Sequence, residues 1–76
     1  MMAKNKTEAV LEHLRGRGSI TSMQAFYMYG ATRLSAIIFR LRKQGYIITN
    51  KEHEIHDRFG TPVRYVEYEF HGKSEE

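Results

Sequence analysis

The chain has 76 residues, of which 41% are hydrophobic, 12% are aromatic and none is cysteine. This length allows one small domain over residues 1–76, and the composition is typical of a folded globular protein rather than a disordered one. Because neither disulfides nor cysteine metal cages can form, stability must come from an apolar core, with self-association as a further source. We expect the ordered core at about 7–70, between polar termini.

Basic residues are concentrated in the first half of the chain. Residues 1–43 carry eight basic and two acidic side chains, whereas residues 44–76 carry four basic and seven acidic ones. No acidic residue occurs between Gly16 and Lys51. A basic surface favours negatively charged partners, of which nucleic acid is the commonest. No strictly apolar run exceeds four residues, and the chain begins without the apolar stretch of a signal peptide, so we expect a cytoplasmic protein without a membrane partner.

The first predicted helix begins with Thr7 as its N-cap and has an acidic residue, Glu8, in its first turn. Apolar residues then follow at helical spacing: Val10, Leu11 and Leu14. Gly16 and Gly18 are expected to end this helix, because glycine adopts the left-handed C-cap conformation at little cost. A very short extended segment is expected to follow, over 19–20.

The second predicted helix opens at Thr21 and ends at Gly30. Thr21 and Gln24 have the spacing of a capping box, in which each side chain satisfies a free backbone N–H of the first turn. Ile20, just before the cap, is placed to act as a hydrophobic staple. Two turns are too short to bury all the aromatic residues of this helix, namely Phe26, Tyr27 and Tyr29. Partial burial and a protein–protein surface both remain open for them.

The third predicted helix, residues 33–44, has the clearest periodicity in the chain. Its N-cap is expected at Thr32, and Gly45 follows its carboxyl end. Four apolar residues recur at the spacing of one buried helix face: Leu34, Ile37, Ile38 and Leu41. The opposite side and its flanks carry small, basic and aromatic residues: Arg33, Ala36, Phe39, Arg40 and Lys43.

Beyond the third helix the hydrophobic period changes from 3.6 to 2, which predicts β-strands. The segments 46–55 and 63–70 are rich in β-branched and aromatic residues, and 56–62 between them contains a glycine and the only proline. This pattern predicts a two-stranded hairpin joined by a turn. The tail, 71–76, is polar and is expected to fray.

The order helix, short strand, helix, tight turn, helix and hairpin is that of a winged helix-turn-helix domain, an α+β fold. In such a domain the third helix enters the major groove of duplex DNA, which is about 12 Å wide and admits one α-helix. The third helix here has an apolar back for docking and a polar or basic front, formed by Thr32, Arg33, Arg40 and Lys43. Arg33 and Arg40 are candidates to read guanine edges bidentately, while Lys43 suits phosphate.

Two stretches carry a resemblance to a known family: Gly18-Ser-Ile-Thr21, and Gly30-Ala-Thr-Arg-Leu-Ser-Ala-Ile-Ile-Phe-Arg-Leu-Arg-Lys-Gln-Gly-Tyr46. They are similar to stretches of small helix-turn-helix proteins of phages and prophages, generally described as winged-helix DNA-binding proteins. Pieces around 58–65 also resemble the wing of that family, so the resemblance covers 7–70. It implies a transcriptional regulator that binds double-stranded DNA. The positions it assigns to DNA are Thr32, Arg33, Ala36, Arg40 and Lys43 at the groove, and Arg58 at the tip of the wing.

One position departs from the tight helix-turn-helix of phage repressors, in which a small residue lies four places before the turn glycine. That position is Phe26 here, and Ala25 comes one place earlier. We therefore expect a turn that is looser by one residue than in those repressors.

Several other side chains have more than one interpretation. Three remain open for Phe39: packing beneath the wing, a dimer contact, and contact with a thymine methyl group. Arg42 either contacts DNA or caps the third helix. Arg15 and Arg17 are more readily explained as surface charges than as phosphate ligands.

Catalysis and metal binding have little support in the sequence. It contains no cysteine nucleophile, glycine-rich phosphate loop or paired acidic site. His53 and His56 differ by three, a separation that sends strand side chains to opposite faces. We therefore expect no enzyme, metal or cofactor.

Two alternatives to a regulator stay open: an excisionase-like architectural factor that bends DNA, and a protein-interaction module that inhibits or adapts a host protein. Homodimerisation also stays open.

Overall fold

The structure, a computed structural model, describes residues 5–74 and has the α+β architecture of a winged helix, which confirms the predicted fold class. Three helices and three strands follow in the order α1 (Lys6–Arg17), β1 (Ser19–Thr21), α2 (Ser22–Tyr29), α3 (Leu34–Lys43), β2 (Tyr46–His56) and β3 (Pro62–Lys73). The strands form one antiparallel sheet in the order β1-β3-β2. The helices cover one end of this sheet, and the β2–β3 hairpin is the wing.

Helix α1 begins at a residue other than the one predicted, and it ends at Gly18, one of the two glycines predicted to end it. Its N-cap is Asn5, whose side-chain oxygen accepts the backbone N–H of Glu8 at 2.8 Å, so the assignment of the cap to Thr7 is wrong. Asparagine is the stronger N-cap of the two. At the other end Gly16 lies inside the helix, and Gly18 alone supplies the left-handed C-cap, with a φ of 88°.

Helix α2 is held by the predicted capping box. The Thr21 side chain accepts the backbone N–H of Gln24, and the Gln24 side chain accepts that of Thr21. At its carboxyl end Ala25 is completely buried while Phe26 is exposed. The small residue that packs in the turn is therefore the one five places before Gly30. Four residues, 30–33, separate α2 from α3, in keeping with a loose turn.

Helix α3 begins one residue later than predicted, and Thr32 is not its N-cap. Arg33 occupies the cap position without any side-chain cap hydrogen bond. Ala31 and Leu34, on either side of this pair, are both about 97% buried. Core packing of these two residues, rather than capping chemistry, decides where the helix starts.

The core lies between the three helices and the adjacent half of the sheet. The predicted stripe of α3 is buried throughout, as expected. It packs with residues from α1, the β1 strand, α2 and β2, among which the completely or almost completely buried ones are Val10, Leu14, Ile20, Ala25 and Ile48. Rings of β3 and of the start of β2 close the cluster at its edge: Tyr46, Tyr68 and Phe70. All elements of the fold thus contribute to one apolar cluster.

Strand β3 is the centre of the sheet and runs further than predicted. It pairs with β1 from Ser19↔Glu69 onward and with β2 over almost its whole length. It continues through 71–73, so the expectation of a frayed tail is wrong for these residues. The backbone N–H of Ser74 then donates to the carbonyl of Gly45 at 2.6 Å and ties the end of β3 to the start of β2. Glu75 and Glu76 lie outside the described residues.

A polar network on the open face of the sheet joins the three strands. The Glu67 carboxylate accepts the Ser19 hydroxyl at 2.5 Å and contacts His53 Nε2 at 2.8 Å. These contacts, first the one from Ser19 and then the one from His53, lower the pKa of Glu67. His53 is also stacked on Tyr65, with ring centroids 4.9 Å apart. Glu67 therefore links β1 to β2 across β3.

A buried histidine that the sequence did not single out connects α1 to α2. His13 is 6% exposed, and its Nδ1 lies 2.8 Å from the hydroxyl of Tyr29. Among the described residues its Nε2 has no hydrogen-bond partner. The nearby Ser19 backbone raises the pKa of His13, but by less than other effects lower it. Burial, followed by the charge of Arg17, lowers the pKa of His13 below its ordinary value.

This histidine makes stability depend on pH in a predictable direction. The pKa of His13 is about 6.5 in the unfolded chain and lower in the folded chain. The contribution of neutral His13 to the free energy of unfolding is therefore complete above about pH 6.5 and is lost as the pH falls below that value. We expect His13→Asn, which keeps a polar atom near Tyr29 but cannot titrate, to lose less unfolding free energy than the wild type between pH 8 and pH 5.5. Urea unfolding of both proteins at the two pH values measures this. Equal losses would contradict the assignment.

Candidate nucleic-acid interface

Docking of the apolar stripe leaves one face of α3 turned away from the core. We call it the outer face of α3; its residues, three and four places apart, are Ala36, Phe39 and Lys43. All three are exposed. Phe39 is 61% exposed and has the Lys43 ammonium 5.4 Å from its ring centroid. The interpretation that Phe39 packs beneath the wing is therefore wrong.

A cleft lies between one flank of α3 and the amino-terminal end of α1. This α1–α3 cleft has a volume of about 560 Å³. Its lining brings together four of the six residues expected at DNA, along with the first residues of α1: Thr32, Arg33, Ala36 and Arg40, with Asn5, Lys6 and Thr7. The sequence could not identify Lys6 as part of this surface, because α1 and α3 meet only through tertiary packing.

Within residues 5–74, the cations around this cleft have no carboxylate partner. Arg33, Arg40 and Lys43 are exposed, and none forms an ion pair with a carboxylate of residues 5–74. The Lys6 side chain runs beside Gly30 at the mouth of the cleft. Because the amino-terminal end of α1 adds the positive end of its helix dipole, the cleft suits an anionic partner.

Arg42, on the other flank of α3, has a structural role. Its Nε donates to the carbonyl of Ile48 at 2.9 Å, and its Nη2 donates to the Asn50 side chain at 2.7 Å. Its guanidinium carbon lies 6.0 Å from the Tyr68 ring centroid. Arg42 thus joins α3 to the wing. It does not cap its own helix, so the interpretation of Arg42 as a helix cap is wrong.

Arg15 is also held by the protein. Its Nη2 donates to the hydroxyl of Tyr46 at 3.1 Å, and its guanidinium carbon lies 5.7 Å from the centroid of the same ring. This contact links α1 to the base of the wing. This contact explains the position of Arg15 without any contact between Arg15 and phosphate.

Arg58 lies apart from the other expected DNA residues, at the tip of the wing. The tip is an Asx-type turn in which the Asp57 carboxylate accepts the backbone N–H groups of Phe59 and Thr61 at 2.8 and 3.0 Å. The Arg58 guanidinium lies 5.9 Å from the Phe59 ring centroid. The eleven residues of β2, at about 3.3 Å per residue, give the wing a length of up to roughly 35 Å between the end of α3 and the tip. Arg58 can therefore reach only a different stretch of a bound duplex.

The outer half of the wing has little net positive charge. Acidic residues Glu52, Glu54 and Asp57 accompany Arg58 there, and the Nε of Arg64 donates to Glu54 at 3.1 Å. In the part of the chain that the structure describes, the exposed cations without a carboxylate partner thus lie mainly on the helical side of the domain rather than on the wing.

Within residues 5–74, no group of three or more metal-ligating side chains comes together, and no helix is long and apolar enough to cross a membrane. His53 is engaged with Glu67, while His56 lies 4.0 Å from Glu54.

Residues 6–72 match the model of a winged helix-turn-helix domain family, and the chain belongs to that family. The match covers every helix, nearly all of the wing and, apart from Asn5, the residues that line the α1–α3 cleft. No curated protein and no solved structure matches the chain. Membership of the winged helix-turn-helix family suggests that the protein binds DNA.

Arg40 and Arg42 of α3 differ in their contacts, and we therefore expect them to contribute differently to stability. We expect Arg42→Ala to lower the unfolding free energy by about 1 kcal/mol, because it removes hydrogen bonds between α3 and β2. Arg40→Ala, matched in chemistry but without such contacts, should change it by less than about 0.5 kcal/mol. Urea unfolding at neutral pH measures both values. Equal destabilisation by the two variants would contradict the assigned roles.

Proposed function

We propose that this protein binds double-stranded DNA, with α3 in the major groove and the wing beside the flanking backbone, and acts as a transcriptional regulator of a phage or prophage. The observation that carries the proposal is the α1–α3 cleft, where Arg33 and Arg40 lie together with Lys6 and have no carboxylate partner among residues 5–74. The phage setting and the regulatory role rest on the sequence resemblance alone.

The dimensions of α3 suit this mode of binding. A helix with its side chains is about 10–12 Å across, close to the roughly 12 Å width of the major groove. Helix α3 has ten residues and exposes one uninterrupted face along its length. Thr32 and Arg33 lie just before its first turn, beside the cleft, and in helix-turn-helix complexes this end of the recognition helix reads base edges. Lys43, at the far end, is placed for phosphate.

In this proposal the electrostatic term supplies most of the affinity. Each cation that neutralises a phosphate releases condensed counterions, so affinity falls as salt is added. Arg33, Arg40, Lys43 and Lys6 provide this term on the helical side. The wing adds Arg58 at its tip, where the acidic residues of its outer half weaken the attraction for phosphate.

The salt dependence of binding tests the proposed interface. We expect duplex DNA to bind with an affinity that falls steeply between about 50 and 200 mM salt, and Arg33→Gln and Lys43→Gln each to reduce the slope of log affinity against log salt by about 0.9. The matched control is Lys51→Gln, since Lys51 is an exposed lysine on the open face of the sheet, 4.0 Å from Glu69. Fluorescence anisotropy with a labelled duplex measures the slopes. Identical titrations of all three variants and the wild type would overturn the interface.

A second candidate function, protein binding, is favoured by the apolar surface of α2. No charged residue occurs between Gly18 and Thr32. Within this stretch Met23 is 63% exposed and Tyr27 77%, and Phe26 packs edge-on against Tyr27. Only Tyr29, among the three aromatic residues of α2, is partly buried. A helix without charge can face a second copy of itself without repulsion, and a dimer would extend the modest DNA interface of a single module.

Self-association through α2 has a direct test. We expect the wild type at tens of micromolar to sediment above its monomer mass of 8.9 kDa, and the double variant Phe26→Glu/Tyr27→Glu to sediment as the monomer. Phe59→Glu, a change at an equally exposed ring on the wing tip, is the control and should leave the wild-type behaviour intact. A wild type that stays monomeric at every concentration would contradict a homodimer.

A further inference from the structure

Phe39 is the large apolar side chain on the outer face of α3, and it lies outside the hydrophobic core. The four residues that dock α3 are all on the other side of the helix. Phe39 is 61% exposed and contacts neither the wing rings nor those of α2. Its ring is approached by the ammonium group of Lys43, one turn further along the helix. Because it is exposed on the outer face of α3, this phenyl ring is accessible to a ligand bound at that face.

The surroundings of Phe39 leave its ring open to a ligand in the groove. One turn earlier the outer face carries only the methyl group of Ala36, which does not obstruct an approach. The Lys43 ammonium lies 5.4 Å from the ring centroid and helps to hold its orientation by a cation–π interaction. The cations of the cleft lie on the flank toward α1, and Arg42 is fixed on the other flank. The centre of the outer face is therefore apolar, between two basic borders.

Base edges in the major groove offer one apolar group to such a surface. Guanine, cytosine and adenine present hydrogen-bond donors and acceptors there, whereas thymine also presents its 5-methyl group. A phenyl ring makes no conventional hydrogen bond, so it gains nothing from the first three edges and gains burial of apolar surface from the fourth.

We propose that Phe39 is a specificity-determining residue, which selects thymine at one position of the DNA site by packing against its 5-methyl group. This inference rests on the proposed function, because it requires α3 to occupy the major groove. It adds to the proposed function the base, thymine, that is selected at one position of the DNA site. Arg33 and Arg40 are suited to guanine, whereas the centre of the helix face requires thymine.

The test removes the methyl group alone. The probe is the duplex enriched by the wild-type protein from random sequence at near-physiological salt, resynthesised with uracil in place of each thymine in turn. Uracil pairs as thymine does and differs only by the missing methyl. We expect one substitution to weaken wild-type binding by roughly fourfold, the value of one buried methyl group. For Phe39→Ala the thymine and uracil duplexes should bind equally at that position.

Two further variants keep this result specific to Phe39. Phe39→Leu keeps an apolar side chain and should retain part of the discrimination. Phe59→Ala removes the exposed ring of the wing tip and should retain all of it. Because Phe39 lies outside the core, Phe39→Ala should unfold at the same urea concentration as the wild type, so a lost preference cannot be ascribed to misfolding.

The outcomes distinguish failure of the thymine contact from failure of the proposed DNA binding. Salt-dependent duplex binding with no fixed thymine in the enriched site, or with uracil sensitivity that Phe39→Ala leaves unchanged, overturns the role of Phe39 while DNA binding stands. No salt-dependent binding to any duplex overturns both. A single uracil-sensitive position that becomes insensitive in Phe39→Ala and stays sensitive in Phe59→Ala establishes the thymine contact.

Discussion

Burial of the apolar stripe of α3 is the constraint on which the rest of this domain depends. A ten-residue helix is too short to be stable alone in water, so its packing against α1 and the sheet must hold it. Leu34, Ile38 and Leu41 are almost wholly buried in that packing. Because these side chains fix the rotation of the helix about its axis, they also decide which residues it presents outward. The outer face and both flanks follow from this single docking.

The division of labour among the basic residues follows from the same docking. A count of charges treats the arginines of the first half as equivalent, yet two of them are used within the protein. Arg42 is bound to β2, and Arg15 to Tyr46 at the base of the wing. Both join helices to the hairpin, and such long-range ties matter in a domain of 76 residues, where the core is small. Arg33 and Arg40 remain available for a partner.

The wing is built for attachment to the domain more than for electrostatic attraction of DNA. Its inner half pairs with β1, contributes Ile48 to the core and carries the Glu67 network. Its outer half projects with acidic and basic residues in similar number, so its contribution to a DNA complex would come from the tip at Arg58. The helical side, by contrast, has cations without carboxylate partners within residues 5–74. This asymmetry assigns most of the proposed phosphate contacts to α1 and α3.

The sequence by itself determined the elements, their order and the buried side of α3, since helical and strand periodicities are local and glycine and capping patterns mark the ends. It erred by one or two residues at Thr7 and Thr32, where a better cap nearby and the burial of Ala31 prevailed. Only the tertiary structure decided that Lys6 joins Arg33 and Arg40, that Arg42 is bound to the wing, and that His13 is buried against Tyr29. Each of these facts is a contact between elements distant in the chain, and its geometry depends on how helices dock and strands register, which no local pattern encodes.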